Sequence, residues 1–265
     1  MKNQFLVLLV LFIGFLSCGE KESQDKGPWK LVWEENFDGK ILDETIWSKI
    51  PRAKSDGNNF RSDYEGLYVF QDGKLVLRGF QNTVSPNDTA PFISGGVYTK
   101  DKKTFGLGRL EIKAKLNSAQ GTWSTFWMLP KAAEWPTGGQ IDIMERFNHD
   151  KFIYQSIYSN YATNLEIKDT PPASSVVAIN PNDYHVYAIE KYQDSLVFYV
   201  DDTKTKIYPR IETDLEGQFP FADQEFYLLL GVQLGSSWVG EINPAELPVD
   251  MFIDWVRFYE MKPSE

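Results

Sequence analysis

The chain contains little of several features that mark common protein classes. It has one cysteine and two histidines in 265 residues. One cysteine excludes an internal disulfide, and two histidines far apart in the sequence make a poor metal site. Outside the N-terminal leader, no long segment shows the 3.6-residue periodicity of an amphipathic helix. The sequence therefore predicts a domain built from strands and stabilised by its core.

Positive charge is also scarce. Lys and Arg number 27 against 37 Asp and Glu, which gives a formal net charge of −10. An acidic surface repels phosphate backbones and argues against a nucleic-acid partner and against electrostatic docking on anionic lipid. A neutral polymer such as a polysaccharide is compatible with this charge. The aromatic share is high, at 15% with 8 Trp.

The N-terminus carries an apolar leader. Its apolar run, from Phe5 to Leu16, is too short to span a bilayer comfortably and is typical of a signal-peptide core. It leads to Cys18, and the segment resembles a bacterial lipoprotein signal in which cleavage leaves the lipidated cysteine at the N-terminus. The alternative is an ordinary secretory signal with an incidental cysteine. The lipoprotein interpretation predicts a Gram-negative outer-membrane or cell-surface protein, or one facing the periplasm.

We divide the chain into a signal peptide (1–17), a flexible tether (18–27) and one domain (28–265). Within the domain, polar and apolar residues alternate in 74–80, 109–116 and 251–260, and 225–234 is apolar through its middle. Period-two alternation predicts half-buried strands, and a continuous apolar run predicts a central one. Many short strands separated by turn signals predict an all-β sandwich of two antiparallel sheets.

Residues 135–146 read WPTGGQIDIMER and hold the candidate chemistry. On a regular strand Gln140 and Asp142 share a face, whereas Glu145 lies on the opposite one. A β-bulge at Ile143-Met144 would return Glu145 to the face of the other two. We predict this bulge because the chemistry requires it. The alternative is a regular acidic strand on a solvated face.

A glutamate at position 140 would complete the carboxylate pair of a retaining glycosidase. Such enzymes need two carboxyl groups about 5–5.5 Å apart, one as nucleophile and one as acid/base. Gln140 has the volume and reach of glutamate and can hydrogen-bond to a sugar. It has no charge, so it cannot act as a carboxylate nucleophile.

Tryptophans flank this stretch. Trp123 and Trp127 lie four residues apart in a predicted strand, and Trp135 precedes the acidic strand. Aromatic faces stack on the apolar faces of pyranose rings without needing charge. We predict that Trp123 and Trp135 line a cleft. Trp127 fits a core position and a sugar contact equally well.

With these residues, the chain resembles glycoside hydrolase family 16, in its laminarinase-like β-1,3(4)-glucanase branch. The family signature is Glu-x-Asp-x-x-Glu on a bulged strand, preceded by Trp-Pro-x-x-Gly, and here it stands as WPTGGQIDIME. Segments 31–48, 94–116 and 183–202 extend the likeness over nearly the whole domain. The resemblance implies an all-β jelly roll, a concanavalin-like sandwich of two curved antiparallel sheets with a concave glycan-binding cleft.

The resemblance also implies roles for individual residues. Glu145 would be the general acid/base and Asp142 the assisting carboxylate, with Gln140 at the nucleophile position. The implied sugar-binding residues are Trp123, Trp127, Trp135, Asn59 and Trp238. Tyr158 stands where a histidine is common in the family.

Catalysis in this family requires no cofactor, but a structural calcium on the convex face is common. The matching positions are Asp254 through its side chain and Gly73 through its carbonyl. Asn36 stands where a further ligand is often acidic.

Three hypotheses follow for function. The first is a retaining endo-β-glucanase for β-1,3- or mixed β-1,3/1,4-glucan in which Gln140 leaves an inactive or substrate-trapping form. The second is a non-catalytic β-glucan-binding lipoprotein at the cell surface. The third is a structural sandwich without a glycan site, which the tryptophans disfavour. The expected partner is a β-glucan polysaccharide or oligosaccharide, with a monomeric chain that meets the membrane only through its lipid anchor.

Overall fold

The computed structural model describes residues 27–84 and 86–263. The signal peptide, Cys18 and nearly all of the tether lie outside the described residues. Within the described part, no helix combines the length and the apolar character needed to cross a membrane.

Strands make up almost all of the regular structure, with single helical turns at Glu65–Leu67, Asn160–Asn164 and Pro244–Glu246. In chain order the strands are β1 (Trp29–Glu35), β2 (Ser48–Lys49), β3 (Tyr68–Phe70), β4 (Leu75–Gln81), β5 (Phe92–Ser94), β6 (Gly96–Tyr98), β7 (Gly108–Leu116), β8 (Thr122–Pro130), β9 (Gln140–Phe147), β10 (Phe152–Tyr158), β11 (Ser174–Ala178), β12 (His185–Lys191), β13 (Ser195–Val200), β14 (Thr203–Pro209), β15 (Phe226–Leu234) and β16 (Val249–Met261).

The described strands form two antiparallel sheets. One has the order β14-β13-β12-β7-β16-β4-β3, with β1 paired to β16 and β5 paired to β4. The other, which we call the cleft sheet, has the order β11-β10-β9-β8-β15-β6-β2. The prediction of an all-β sandwich is confirmed. The strands predicted at 74–80, 109–116, 225–234 and 251–260 correspond to β4, β7, β15 and β16.

The core lies between the two sheets, and strand periodicity decides which side chains enter it. Along β10, Ile153, Gln155 and Ile157 are buried. The residues between them point the other way, and Tyr154 and Ser156 line a cavity on the outer face of the cleft sheet. β10 therefore supplies the core from one face and the cleft from the other.

Candidate active site

The predicted bulge is present in β9. On the side of β8, Asp142 pairs with Trp127 and Met144 pairs with Phe126, so Ile143 is the extra residue. Ile143 and Met144 are both fully buried and belong to the core. Two successive residues pointing inward reverse the strand's alternation beyond them.

Glu145 consequently joins Asp142 and Gln140 on the cleft face. The register with β10 shows the same bulge. Asp142 and Glu145 are separated by two residues in β9, whereas their partners Ser156 and Tyr154 are separated by one residue in β10. Both carboxyl groups are well protected from solvent, with Asp142 2% exposed and Glu145 7%. The bulge thus brings the two predicted acids together, as the chemistry required.

A chain of hydrogen bonds links the catalytic-strand residues. Gln140 Nε2 donates to Asp142 Oδ1 at 2.7 Å, and Trp123 Nε1 donates to Glu145 Oε1 at 3.0 Å. The Asp142 carboxyl also lies close enough to Glu145 for its charge to raise the pKa of Glu145. Gln140 therefore occupies the position of a third acid and donates a hydrogen bond to Asp142, the middle residue of the three.

Burial dominates the protonation of this pair. It raises the pKa of Asp142 to about 7, against the opposing effects of hydrogen bonds from Gln140 and Glu145. Burial, reinforced by the charge of Asp142, holds the pKa of Glu145 well above its usual range. A carboxyl that keeps its proton near neutral pH can protonate a leaving oxygen. These are the properties that a general acid at position 145 needs.

Two cavities flank the carboxyl pair. The smaller has a volume of about 70 Å³ and is lined by Asp56, Asn58, Trp123, Thr125, Trp127, Gln140, Asp142, Glu145 and Gln233. The larger, of about 410 Å³, is lined by Trp123, Gln140, Asp142, Glu145, Phe147, Tyr154, Ser156, Tyr158, Ser174 and Trp238. Trp123, Gln140 and the two acids line both cavities, so they lie where the two halves of the cleft meet.

One loop contact limits the smaller cavity. The Asp56 carboxylate accepts hydrogen bonds from the Ser237 backbone N–H, at 3.0 and 3.2 Å, and from the Ser237 hydroxyl. Asp56 belongs to the loop before β3, and Ser237 to the loop after β15. Their contact ties two exposed loops together at one end of the cleft.

The structure brings the predicted tryptophans to the cleft in different ways. Trp127 lines the smaller cavity, and its indole N–H is buried with no hydrogen-bond partner among the described residues. Trp238 lines the larger cavity, is 62% exposed and stacks on Phe147. Trp135 is 55% exposed and packs against Tyr158 at the edge of the larger cavity, with ring centroids 6.4 Å apart.

Two neighbouring asparagines lie at different places relative to the cleft. The structure places Asn58 in the lining of the smaller cavity, whereas Asn59 is exposed and is not part of that lining. The chain turns at this point, with the Asn58 N–H donating to the Ser55 carbonyl. The buried Arg61 holds the side chain by donating from Nε to Asn58 Oδ1 at 3.3 Å. The loop conformation that selects Asn58 leaves no periodic signal in the sequence.

Sequence reasoning missed the wall of the larger cavity. Phe147 and Tyr154 stack with centroids 4.7 Å apart, and Tyr158 pairs with Gln140 in the strand ladder. Burial, with the nearby acids adding to it, raises the pKa of Tyr158, so its hydroxyl stays a hydrogen-bond donor. The alternation in FIYQSIY could have identified this face once β10 was placed beside β9.

The residues implied for calcium do not fit a calcium ion. The Asp254 carboxylate is already paired with Lys113 Nζ at 2.8 Å and lies 3.9 Å from Lys74 Nζ. Gly73 lies in the turn between β3 and β4. No group of three or more potential acidic, histidine or cysteine ligands occurs in the described part of the chain. Calcium needs six to eight oxygen ligands, and two ammonium groups beside its carboxylate would repel it.

This geometry matches a known family. The family model for glycosyl hydrolases family 16 matches residues 56–257, which include β9 and both cavities. The chain belongs to glycosyl hydrolase family 16. The resemblance stated from the sequence is confirmed at the level of the family.

Individual relatives of this family 16 chain differ in what they act on. A keratan-sulfate endo-1,4-β-galactosidase from Sphingobacterium multivorum is 31% identical over 88% of this chain. A β-glucanase from Rhodothermus marinus is 30% identical over 98% of it. The chain spans 56% of the first protein and 95% of the second. The laminarinase structure from Rhodothermus marinus covers 88% of the chain, with a TM-score of 0.78 and 25% identity. It confirms the jelly-roll fold.

The protonation of Asp142 has a consequence for stability. The folded-state pKa of about 7 exceeds the unfolded value of 3.8, so the folded protein holds a proton that the unfolded chain releases between these values. The stability contributed by this carboxyl is present below pH 3.8 and lost as pH rises through about 7. Asp142→Asn is therefore expected to raise the melting temperature at pH of about 8 by several degrees.

Thermal unfolding across this pH range checks the prediction. The decline in melting temperature between about pH 4 and about pH 8 should be smaller in Asp142→Asn than in the parent. Asp38→Asn, which changes an exposed acid, is the matched control. Equal declines in parent and Asp142→Asn would contradict the raised pKa.

Proposed function

We propose that the cleft binds β-1,3- or mixed β-1,3/1,4-linked glucan and derives from the site of a retaining endo-β-glucanase whose nucleophile position is occupied by Gln140. The observation that carries the proposal is the arrangement around this residue. Gln140 hydrogen-bonds to Asp142 at 2.7 Å, and Asp142 and Glu145 line the same two cavities beside it. The acid/base and its assisting carboxyl are both in place, and the nucleophile alone is missing.

The lining of the cleft supports a neutral substrate. Among the described residues that line the two cavities, none is lysine or arginine. A sulfated glycan would find no cation there to offset its charge. Aromatic rings dominate the wall of the larger cavity, and such rings stack on uncharged pyranoses. The β-glucanase from Rhodothermus marinus, matched over 98% of this chain, supports the same substrate class.

The mechanism of the complete site follows from the positions of its residues. A carboxylate at position 140 would attack the anomeric carbon while Glu145 protonated the departing oxygen, giving a covalent glycosyl intermediate. Glu145 would then take a proton from water, and the water would release the sugar with retained configuration. Asp142, when protonated, would hold the nucleophile by donating a hydrogen bond to it, in place of the one that it now accepts from Gln140. With an amide at position 140, the attack is lost and binding remains.

The second candidate is a non-catalytic β-glucan-binding protein. Gln140 favours this candidate too, because it removes the nucleophile. A protein that only captures glucan needs the aromatic wall and hydrogen-bonding groups but no nucleophile. Turnover by the Gln140→Glu variant separates the two: activity supports the enzyme site, whereas binding without turnover in both forms supports the binding protein.

Trp238→Ala is expected to weaken glucan binding by the Gln140 form about 5- to 10-fold, because the variant loses one stacking surface of the larger cavity. Affinity gels containing laminarin, barley β-glucan, xyloglucan or keratan sulfate would measure this effect and rank the substrates. Ile41→Ala removes an exposed apolar side chain that lines neither cleft cavity and is the matched control. Retardation by keratan sulfate alone would overturn the proposed substrate.

A further inference from the structure

The catalytic bulge places the backbone of an extra residue inside the core. Ile143 is the extra residue of β9, so its backbone falls outside the ladder to β8. The residue is fully buried, and no solvent reaches it. A buried carbonyl without a partner is costly, and a strand that has lost its ladder bonds at one point can shift there. This point lies between the two acids.

The side chain of Gln155 hydrogen-bonds to the backbone of this extra residue. Gln155 is fully buried on the core face of β10, and its Nε2 donates to the Ile143 carbonyl at 3.4 Å. Its neighbours in sequence, Tyr154 and Ser156, line the larger cavity on the opposite face. Gln155 therefore contacts the bulge from behind and makes no contact with a sugar in the cleft.

Gln155 is itself anchored to the other sheet. Its Oε1 accepts a hydrogen bond from Thr205 Oγ1 at 2.7 Å, with a longer one from Ser175 Oγ at 3.4 Å. Thr205 is the extra residue of a second bulge, in β14, where Lys206 pairs with Phe198 and Lys204 with Tyr199. That irregularity turns both Thr205 and Lys206 towards the cleft sheet.

Lys206 reinforces the connection. It is nearly buried, and its ammonium donates to the carbonyl oxygens of Ala173 and, at 3.4 Å, of Gln155. Its positive charge favours the ionised form of Asp142 and so acts against the rise in the pKa of that carboxyl. Burial lowers the pKa of Lys206 itself to about 7, while Asp142 opposes this effect. A polar network thus crosses the sandwich and ends beneath the catalytic acids.

We propose that Gln155 is a positioning residue, which ties the extra residue of the catalytic bulge to Thr205 on the opposite sheet and thereby fixes the contact between Asp142 and Glu145. The inference deepens the proposed function and rests on it for its kinetic consequences. Fixing the bulge keeps the separation of the two carboxyl groups constant, because the extra residue lies between them in β9. Loosening it changes both the alignment of Glu145 and its proton affinity.

The first test uses the chain with Gln140 and needs no turnover. The Trp123 indole N–H donates to Glu145, so its NMR signal reports the protonation of that carboxyl. Gln155→Met keeps the volume but removes the donor and the acceptor, and should shift the titration midpoint by about half a pH unit or more. Thr205→Val should shift it in the same direction, and Thr205→Ser, which keeps the hydroxyl, should restore the parent midpoint.

The second test uses the Gln140→Glu background. There Gln155→Met should lower kcat about 10- to 100-fold, because sub-ångström misplacement of reacting groups has effects of this size. KM should stay within about twofold of the parent value, since the side chain contacts no sugar. The pH–rate profile should shift on the limb set by the general acid.

The outcomes separate the two proposals. A lower melting temperature with unchanged midpoint, kcat and pH profile would mean that Gln155 is only structural, which overturns the inference. If Gln155→Met does not fold, the comparison of Thr205→Val with Thr205→Ser decides by the same readouts. If the Gln140→Glu background shows no turnover on β-glucan, the proposed function fails, and the Trp123 titration still decides the role of Gln155.

Discussion

Gln140→Glu is expected to raise kcat/KM on β-glucan by about 10³-fold or more, because it restores the carboxylate on which the covalent route depends. Glutamate differs from glutamine here by one atom and one charge, so the side chain can keep its place on β9 beside Asp142. Asp142 would then hold the new carboxylate by donating its own carboxyl proton, whereas it now accepts a hydrogen bond from the Gln140 amide. The rest of the site requires no rearrangement.

The measurement is reducing-sugar release from laminarin and barley β-glucan by both forms. Gln140→Asp is a matched control, because it restores the charge but shortens the side chain by one methylene group and withdraws the carboxylate from the sugar. It should recover little of the activity. Rapid turnover by the Gln140 form would contradict the assignment of position 140 as the nucleophile position.

Glu145→Gln in the Gln140→Glu background is expected to lower kcat/KM on polysaccharide about 10²- to 10⁴-fold, the usual contribution of a general acid. The carboxyl at position 145, whose pKa is raised by burial, would be replaced by an amide that cannot release a proton. The loss should be much smaller for aryl glycosides with acidic phenols, because such leaving groups need no proton.

Steady-state kinetics with a series of aryl β-glycosides would measure this dependence. Added azide should rescue the second step of the Glu145→Gln variant and yield a β-glycosyl azide, since a charged nucleophile needs no general base. Asp142→Asn in the same background tests the alternative assignment of the acid. If that variant, rather than Glu145→Gln, showed the leaving-group dependence and azide rescue, the roles of the two residues would be reversed.

The sequence predicted the central part of the site because its pattern was local. Period-two alternation placed Glu145 on the face opposite Gln140 and Asp142, and the chemistry of an acid pair then predicted a bulge at Ile143-Met144. The buried pair Ile143 and Met144 confirms this interpretation. The all-β sandwich followed from similarly local signals along each strand.

Features that depend on contacts between distant segments could not be predicted. The choice of Asn58 over Asn59 depends on Arg61 and a loop turn, and the network behind the bulge depends on β14 facing β10 across the core. The implied calcium ligand Asp254 is paired with Lys113 on a neighbouring strand. The network and the ion pair need the register of strands far apart in sequence, which residue spacing does not contain, and the position of Asn58 depends on a loop turn that has no periodic signal.

We propose that position 140 is the nucleophile position of a retaining glycosidase site and that glutamine there prevents attack on the anomeric carbon. Intact-protein mass spectrometry after incubation with a 2-deoxy-2-fluoro-β-laminaribioside carrying an activated leaving group tests this directly, because the fluorine slows breakdown of the covalent intermediate. We expect one added glycosyl group on the Gln140→Glu variant, mapped by peptide sequencing to residue 140, and none on the Gln140 form. Labelling of the Gln140 form, or a label on Asp142 or Glu145 in the variant, would contradict it.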